Sequence, residues 1–355
     1  MKFIESVFEK LRQHPKRILF PEGTEPRILT AASEFVQLRL GVAVLLGKKE
    51  AVEAAAEKAK VSLNKIHIID PEKAEDLPLF TKRLASLARY KGIADPDAQK
   101  IVLNPNYFGA LMLQNGQVDG LVGGATSNSG SILRPLFQLI KPLPGIKSIS
   151  SCVVLQVPDQ KYGEKGVFTF ADCGVIPNPN VDQLAGIAIE SARLFRQLTG
   201  AVPRVAMLSY STKGSAQTQD TEKIVAATAL AKQQLFEKMQ TGEVDGELQV
   251  DTALVKEIAE IKAPGSPVAG QANVMVFPDL NSGNIAMKLV QRLAGGEVYG
   301  QILLGLDKPA ADLSRGASIH EIVGVAAIIG LQAVEYRRLY PDQGAGRYNP
   351  APVIA

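Results

Sequence analysis

Short apolar runs alternate with longer amphipathic runs along residues 1–123. The apolar runs predict buried strands at 17–21, 41–47, 66–70 and 118–123. The runs of helical period predict helices at 27–38, 49–60, 79–91 and 96–115, after an amphipathic helix that opens the chain. This alternation of strand and helix is typical of a parallel sheet that is covered by helices on both faces.

The pattern changes near residue 148. Two β-rich runs, 148–157 and 166–175, flank a polar loop and predict a hairpin or two adjacent strands. The alternation then resumes, with helices predicted at 181–199, 216–240 and 283–294 and strands at 204–210, 247–250, 272–277 and 298–306. A final apolar helix is predicted at 319–339, and a tail rich in glycine and proline, 341–355, follows it.

A chain of 355 residues is long for one hydrophobic core. We therefore predict two α/β domains, with the boundary where the pattern changes. The strand before Ser314, predicted at 298–306, is expected to return to the first sheet. On this interpretation the first domain is discontinuous and comprises 1–148 plus 301–355, and the second comprises 149–300.

Composition excludes several classes of protein. Hydrophobic residues make up 46% of the chain and charged residues 21%, as in ordinary globular proteins. No uninterrupted apolar run reaches the roughly 18 to 20 residues of a membrane span, and charges interrupt the N-terminal segment where a signal peptide needs an apolar core. We therefore expect a cytoplasmic protein that does not bind membranes. A net charge of +3 is too small to indicate nucleic-acid binding.

Metal and thiol chemistry have little support in the sequence. Two cysteines, Cys152 and Cys173, form no C-x-x-C pair, and the three histidines include no H-E-x-x-H motif. We expect no metal site. Cys173 as a nucleophile is an open alternative, but its β-rich surroundings favour a small buried residue.

Four glycine-bearing loops follow predicted strands and carry polar residues. Ligands gather at the carboxyl ends of parallel strands, so we expect these loops to face one crevice. The first, residues 120–130, leads into a helix predicted at 131–140 that carries Arg134. Its N–H groups and hydroxyls suit an anion, and Arg134 suits a bidentate grip on phosphate. A plain capped turn is the alternative.

The second and third loops carry similar groups. The second contains Ser211, Thr212 and Lys213, which suit a phosphate, although such a loop is more often a capped turn. The third, residues 277–284, contains Asn281 and Asn284, where turn formation is the ordinary reading. Outside these loops, Arg89 at a predicted helix end and Lys262 in a predicted loop have ordinary local explanations.

The fourth loop has the densest chemistry, with Asp312, Ser314 and Arg315 in five residues. Ser314 suits a hydrogen-bond donor to developing negative charge, and Arg315 is a fixed cation beside it. No G-x-S-x-G motif supports a hydrolase triad. Ser318 and Glu321 have the S-x-x-E spacing of a capping box, which by itself explains Glu321.

Taken in order, these motifs resemble those of the phosphate acetyltransferase (phosphotransacetylase) family. The matching stretches cover nearly the whole chain: RILFPEGTEPR at 17–27, VDGLVGGA at 118–125, LRP at 133–135, SYSTKGSA at 209–216, FPDLNSGN at 277–284, KLVQRLA at 288–294 and KP-x-x-DLSRG at 308–316. Seven stretches in the right order are much more specific than any one of them.

The resemblance implies reversible transfer of acetyl between acetyl phosphate and coenzyme A, with inorganic phosphate as the other product or substrate, by direct thiolate attack in a ternary complex. It implies a fold like that of isocitrate and isopropylmalate dehydrogenases, with two α/β/α domains and the site in the cleft between them. It also implies a homodimer of acetate metabolism that has no tightly bound cofactor and uses coenzyme A or acetyl-CoA as substrate.

The resemblance gives residues roles as well. Ser314 stabilises the transition state, Arg315 binds substrate, and Arg89 and Arg134 hold phosphate groups. Lys262 matches a site position of the family. Glu321 stands where the family has an aspartate proposed as the base, so the carboxylate is kept but is one methylene longer.

Other departures and other functions stay open at this stage. Ala311 stands where the family commonly has asparagine, and Met287 where tyrosine is common. Phosphate butyryltransferase or another short-chain acyltransferase is the first alternative. A non-catalytic regulatory or assembly domain of the same fold is the second. A metal-dependent decarboxylating dehydrogenase needs a cluster of aspartates that the sequence does not show.

Overall fold

The structure is a computed structural model that describes residues 3–339. The predicted tail at 341–355 lies outside these residues. Within the described part, the chain forms thirteen α-helices and eleven strands, numbered here in chain order. It divides into two compact units. The first unit comprises the residues up to Lys141 and those from Leu306 onward, and the second comprises Pro142–Gly305.

The first unit contains a parallel sheet. Its strands are β1 (Lys16–Phe20), β2 (Gly41–Leu46), β3 (Ile66–Ile69), β4 (Gly120–Gly123) and β11 (Ala310–Asp312). Their order is β3-β2-β1-β4-β11, and every pairing is parallel. The last strand, at Ala310–Asp312, comes from the far end of the chain and was not predicted as a strand. The strand predicted at 298–306 forms at Glu297–Leu304 and lies in the second unit. Asp312 is opposite Gly123 in the register, so the carboxyl ends of β4 and β11 are neighbours.

Helices surround this sheet. They are α1 (Phe3–Arg12), α2 (Pro26–Gln37), α3 (Lys49–Ala59), α4 (Leu77–Ala85), α5 (Asp95–Val102), α6 (Pro105–Gln114), α7 (Ser129–Leu139) and α13 (Ile319–Leu339). The prediction of a single helix at 96–115 is wrong, because two helices, α5 and α6, occupy this stretch. The chain breaks before Pro105, which has no N–H to continue a helix, and Asn104 caps α6 by accepting from the Asn106 N–H at 3.0 Å.

The long apolar helix α13 belongs to the core of the first unit. The helix is long and apolar enough to cross a membrane, but 67% of its apolar stretch is buried inside the protein. It packs against α1, α2 and β4. Ile322, Ile328 and Ile329 are fully buried in that packing. These contacts explain why a helix inside a folded unit has so few polar residues.

The second unit has a mixed sheet. Its strands are β5 (Ser150–Gln156), β6 (Val167–Ala171), β7 (Arg204–Leu208), β8 (Glu243–Leu248), β9 (Val274–Val276) and β10 (Glu297–Leu304), in the order β10-β5-β6-β9-β7-β8. Strands β5 and β6 pair antiparallel, as predicted for adjacent strands. The pairings of β6 with β9, β9 with β7 and β7 with β8 are parallel. Both units therefore confirm the predicted α/β class.

The helices of the second unit include two that the sequence pattern did not predict. The set is α8 (Val181–Thr199), α9 (Gln219–Met239), α10 (Val250–Leu254), α11 (Lys256–Lys262) and α12 (Leu280–Leu293). Helices α10 and α11 have five and seven residues, too few for a periodic pattern to be distinguished from a loop. Lys262, predicted to lie in a loop, lies in the last turn of α11.

Neither cysteine is placed for nucleophilic chemistry. Cys152 and Cys173 are both buried and free. Burial and the nearby Asp172 carboxylate raise the pKa of both thiols well above their usual range. This confirms the reading of Cys173 as a buried core residue. Among residues 3–339, no three His, Cys, Asp or Glu side chains lie together in a way that could hold a metal ion.

Candidate active site

The loops that follow β4 and β11 are adjacent. We call residues 124–127 the β4 loop and residues 313–317 the β11 loop. The Leu313 N–H donates to the Gly123 carbonyl at 2.6 Å. Gly124 has φ +103°, and a Cβ at this residue would lie 2.3 Å from Asp312 Oδ1. Only glycine tolerates both the conformation and the close approach, so this contact requires the glycine found in the first predicted loop.

The β11 loop presents Ser314 and Arg315 at the surface. Both residues are exposed. A tight turn forms beneath them, because the Ser314 hydroxyl accepts from the Gly316 N–H at 3.2 Å and the Ser314 carbonyl accepts from the Ala317 N–H at 2.9 Å. The turn therefore offers a hydroxyl donor and a guanidinium side by side, the pair needed to stabilise negative charge on an oxygen. Glu321 forms the predicted capping box with Ser318 at the start of α13.

The β4 loop already holds a carboxylate from its own chain. Glu22 Oε2 accepts from the N–H groups of Gly124 and Ala125 at 3.0 and 2.7 Å. Glu22 Oε1 accepts from those of Thr126 and Ser127 at 2.8 and 3.1 Å, and from both hydroxyls. The prediction that these N–H groups are free to bind a substrate anion is therefore wrong. A substrate phosphate near this loop cannot use these four N–H groups while Glu22 holds them.

Arg134 provides a charged side chain instead. It lies on α7, which Asn128 caps by accepting from the Ser131 N–H at 3.0 Å. Arg134 is exposed and lines a cavity of about 350 Å³ together with Asn104, Tyr107, Asn128, Gly130, Ser131 and Pro135. The position of a cation beside a polar cavity suits a phosphate group.

Arg89 lies near the same cavity. Burial and the Tyr90 phenol raise the pKa of Tyr107 to about 12, and the positive charges of Arg134 and Arg89 partly oppose that rise. Both guanidinium groups are thus within electrostatic range of one phenol. Arg89 itself is exposed, in a short 3-10 turn at Ala88–Tyr90. Arg134 and Arg89, which the sequence named separately, therefore both act electrostatically on Tyr107, a residue that lines the cavity.

Asp312 is the buried carboxyl of this region. Only 4% of the surface of Asp312 is exposed to solvent. Burial raises its pKa to about 6; a hydrogen bond from the Ser129 hydroxyl opposes the rise, and the Glu22 carboxylate adds to it. Within residues 3–339, its Oδ1 atom has no hydrogen-bond partner. Asp312 therefore binds its proton more tightly than an ordinary aspartate.

In the second unit, Ser211 and Thr212 hold their own loop together. Both residues are buried. The Ser211 hydroxyl donates to Glu247 Oε1 at 3.0 Å, and the Thr212 hydroxyl accepts from the Gln249 N–H at 3.0 Å. These contacts account for the hydroxyls structurally, as the capped-turn alternative expects. Their binding of substrate stays a prediction.

Lys213 and Lys262 line one cavity of about 430 Å³, together with Lys232, Asp245 and residues 263–267. Lys213 and Lys232 lie 2.7 and 2.9 Å from Asp245 Oδ1. Burial alone would raise the pKa of Asp245, but hydrogen bonds from Lys213, Ser266 and Lys232 outweigh it and lower that pKa to about 2. Lys262 pairs instead with Asp251 at 2.7 Å. Three lysines thus surround a cavity that contains one buried carboxylate.

The third predicted loop begins α12. Asp279 caps the helix by accepting from the Ser282 N–H at 2.8 Å, as expected of a turn former. Asn281 is exposed on the first turn. Asn284 donates from Nδ2 to the Cys173 carbonyl at 3.0 Å. The substrate roles of Asn281 and Asn284 stay predictions.

Sequence reasoning missed several polar residues that support these groups. Glu22 and Arg27 lie inside the quoted stretch 17–27, but nothing in a single sequence connects them with loops about a hundred or more residues away. Asp245 lies within a strand, where a charged residue flanked by a valine and a glycine could have been noticed as a buried partner for lysine. Tyr107 gave no local signal.

Parallel strands that end beside arginines, lysines and hydroxyls are well suited to bind phosphorylated ligands. A sequence profile described as phosphate acetyl/butaryl transferase matches residues 2–330. The chain belongs to this family of acyltransferases.

Individual relatives agree with that assignment. The phosphate acetyltransferase of Thermoanaerobacterium thermosaccharolyticum is 47% identical over 335 residues, which cover 94% of this chain and 100% of the relative. That of Acetivibrio thermocellus is 44% identical over 333 residues, 94% of this chain and 98% of the relative. A crystal structure of a phosphotransacetylase from Streptococcus pyogenes superimposes with a TM-score of 0.84 at 36% identity, covering 94% of this chain and 100% of that one.

Proposed function

We propose that this protein is a phosphate acetyltransferase, which moves an acetyl group between acetyl phosphate and coenzyme A. The observation that carries the proposal is the adjacency of the β4 and β11 exits, which places Ser314 and Arg315 beside the loop that leads to Arg134. Relatives at 44% and 47% identity over nearly their whole length carry the same name.

The proposed reaction is a direct transfer in a ternary complex. The thiolate sulfur of coenzyme A attacks the carbonyl carbon of acetyl phosphate, and a carbon–sulfur bond forms. The carbon–oxygen bond to phosphate then breaks, and inorganic phosphate leaves with the electron pair. Ser314 and Arg315 stabilise the negative charge that develops on the carbonyl oxygen. Arg134 and Arg89 bind the phosphate groups, for which guanidinium is well suited.

The thiol must lose its proton before it attacks. An ordinary thiol has a pKa of about 8.5 and is mostly protonated at neutral pH, so a nearby base accelerates the reaction. We assign this role to Glu321, at the start of α13. In the second unit, we assign Ser211, Thr212, Lys213, Lys262, Asn281 and Asn284 to substrate binding. The cavity beside Lys213 and Lys262 supports a negatively charged part of coenzyme A there.

The other acyltransferase reading and the non-catalytic reading have less support. A non-catalytic domain has no need of exposed Ser314 and Arg315 on a turn that two hydrogen bonds fix. The relatives cited above are named for acetyl rather than butyryl transfer. Acyl-chain range is a separate property, which a substrate series measures directly.

The test is an assay of the purified protein with acetyl phosphate and coenzyme A, read as formation of the thioester. We expect acetyl-CoA and one inorganic phosphate for each thioester formed. Propionyl and butyryl phosphate in the same assay measure the acyl range, and we expect lower kcat/KM with butyryl phosphate. Absence of thioester from all three acyl phosphates would refute the enzymatic proposal, and a preference for butyryl phosphate would support the butyryltransferase alternative.

We also propose that the protein is a cytoplasmic homodimer. Helix α12 exposes an aliphatic stripe in the second unit: Ile285, Leu289 and Leu293 are 57%, 52% and 81% exposed and lie four residues apart. Exposed side chains at this spacing share one helix face, and a two-fold dimer buries such a face against its own copy. Cys152 and Cys173 are free rather than paired in a disulfide, as is usual in the reducing cytoplasm, which supports a cytoplasmic location.

Light scattering of the purified protein measures the oligomeric state. We expect a dimer for the unmodified chain and a shift toward monomer for Leu289→Glu, which places a charge within the stripe. Val225→Glu is the matched control, because Val225 is 49% exposed on α9 of the same unit but lies outside the stripe. A monomeric unmodified chain contradicts the dimer, and a dimeric Leu289→Glu variant contradicts the role of α12.

A further inference from the structure

The segment that follows β1 fixes both loops of the first unit. Glu22 holds the β4 loop through four backbone N–H groups, as described above. Arg27, at the start of α2, reaches both loops: Nη1 donates to the carbonyls of Arg315 and Ala317 at 2.8 and 3.1 Å, and Nη2 donates to the Ala125 carbonyl at 2.9 Å. One guanidinium therefore connects the β11 loop with the β4 loop.

The base of this connection is rigid. Ile28 and Leu29, the next two residues on α2, are fully buried in the core of the first unit. Arg27 Nε also donates to Glu25 Oε1 at 2.7 Å, which fixes the plane of the guanidinium. A planar guanidinium has its donors in a fixed fork, so the three carbonyl groups are held at defined positions relative to α2.

We infer that Glu22 and Arg27 are positioning residues for the transfer reaction: Arg27 sets the place of Ser314 and Arg315, and Glu22 sets the start of the helix that carries Arg134. This inference rests on the proposed function. Neither side chain is assigned a contact with substrate. Both act by holding backbone groups, and a misplacement of about 1 Å at a reacting group costs up to about 100-fold in rate.

The two residues have different contacts, so their loss has different kinetic effects. Arg27 is bound to the carbonyl of Arg315, in the loop that stabilises the transition state, so Arg27→Gln lowers kcat. Within residues 3–339, the hydrogen bonds of the Glu22 carboxylate go to the β4 loop, so Glu22→Gln mainly raises the KM for acetyl phosphate through Arg134. In Glu22→Gln the amide also places N–H donors against N–H donors of the loop.

The experiment compares Arg27→Gln, Arg27→Lys and Glu22→Gln with the unmodified chain. Glu25→Gln is the matched control, because the glutamine oxygen can still accept from Arg27 Nε, and within residues 3–339 no hydrogen bond joins the Glu25 side chain to either loop. We expect a fall of about 10- to 100-fold in kcat for Arg27→Gln, partial recovery in Arg27→Lys, and a rise of about tenfold in KM for Glu22→Gln. Glu25→Gln should stay within about twofold of the unmodified enzyme in both parameters.

Backbone amide hydrogen exchange gives a readout that does not depend on activity. We expect faster exchange at Gly124, Ala125, Thr126 and Ser127 in Glu22→Gln, and faster exchange across 313–318 in Arg27→Gln, with α8 of the second unit unchanged in both. Unchanged exchange in these loops would overturn the inference. It would also be overturned if kcat of Arg27→Gln, divided by the folded fraction, equalled that of the unmodified enzyme.

The outcomes separate this inference from the proposed function. If the unmodified chain forms no thioester, the proposed function fails, and the exchange data still show whether Glu22 and Arg27 hold the two loops. If the unmodified chain is active and the variants keep its kinetics, the positioning role fails alone.

Discussion

The carboxylate of Glu321 accepts a hydrogen bond from the Ser318 N–H at 2.7 Å, and the Ser318 hydroxyl accepts one from the Glu321 N–H at 3.2 Å. This reciprocal pair starts α13, the core helix of the first unit. The residue that we propose as the base therefore also has a structural task. The two tasks can be separated, because a capping box accepts glutamine as well as glutamate, whereas only the carboxylate can accept a proton.

Glu321→Gln is therefore expected to keep stability and lose activity. We expect the free energy of unfolding to change by less than about 0.5 kcal/mol. We expect kcat to fall about 100-fold, the lower end of what a general base contributes. Urea unfolding and steady-state kinetics measure the two effects. Glu321→Ala is the comparison that removes both tasks, and full activity in Glu321→Gln would show that this residue is only a cap.

Ser314→Ala removes the hydroxyl that we propose to stabilise the carbonyl oxygen. Loss of one such donor costs about 100- to 1000-fold in kcat. Ser314 is exposed, and within residues 3–339 its hydroxyl accepts from the Gly316 N–H alone, so thermal stability should change little. Steady-state kinetics with both substrates check the prediction. Ser318→Ala, which removes a hydroxyl from the helix cap instead, is the control, and an unchanged kcat in Ser314→Ala would remove Ser314 from the mechanism.

Arg134→Gln should mainly weaken the binding of acetyl phosphate. A hydrogen bond to a charged group contributes about 1.5–3 kcal/mol, so we expect KM for acetyl phosphate to rise about 10- to 100-fold. Lys100→Gln removes the same charge from an exposed position on α5 of the same unit and should leave KM unchanged. If both variants raise KM equally, the effect comes from net charge rather than from a phosphate contact.

Asp312→Asn should stabilise the protein above about pH 6. Because burial raises the pKa of Asp312 to about 6, the folded chain holds this proton more tightly than the unfolded chain. The folded state consequently loses stability as pH rises from about 4 to about 6, by about 3 kcal/mol at most. Asparagine carries no charge and avoids that loss. Urea unfolding of the variant and the unmodified chain at about pH 4 and about pH 8 checks this prediction. Lower stability of the variant at about pH 8 would contradict it.

Asp245→Asn should have the opposite effect on stability and destabilise the protein at neutral pH. The pKa of Asp245 is lowered to about 2, so this carboxylate stabilises the folded state above about pH 4, and the contribution disappears as pH falls toward about 2. We expect the free energy of unfolding to fall by about 2 kcal/mol at neutral pH, and by more if Lys213 and Lys232 repel each other. Asp251→Asn is the control, since its pair with Lys262 is partly exposed and contributes little. Equal losses in the two variants would contradict the prediction.

The sequence predicted those parts of the fold that depend on period and length. Helix α8 begins and ends where its pattern predicted, and the long apolar pattern of α13 agrees equally well. The errors are local. The break at Pro105 was visible in the sequence but the apolar period continued across it, and α10 and α11 are too short to show a period at all.

The sequence named candidate site residues one by one but not their arrangement. Ser314 and Lys213 follow the ends of strands and Arg134 lies on the helix after β4, so the sequence could single them out as candidates. Whether the N–H groups of the β4 loop are free depends on Glu22, which is distant in sequence, and only the folded chain shows that contact. Likewise, only the folded chain shows that Arg89 and Arg134 act on Tyr107 and that Lys213 and Lys232 contact Asp245.

The position of β11 beside β4 also constrains synthesis on the ribosome. The partner for the free edge of β4 is residues 310–312, which emerge only after all of 142–305 has been translated. The second unit is continuous in sequence and can complete its sheet first. Until then the nascent first unit has an unpaired strand edge, the kind of surface on which chains aggregate. A chain that stops before Ala310 keeps that edge open permanently.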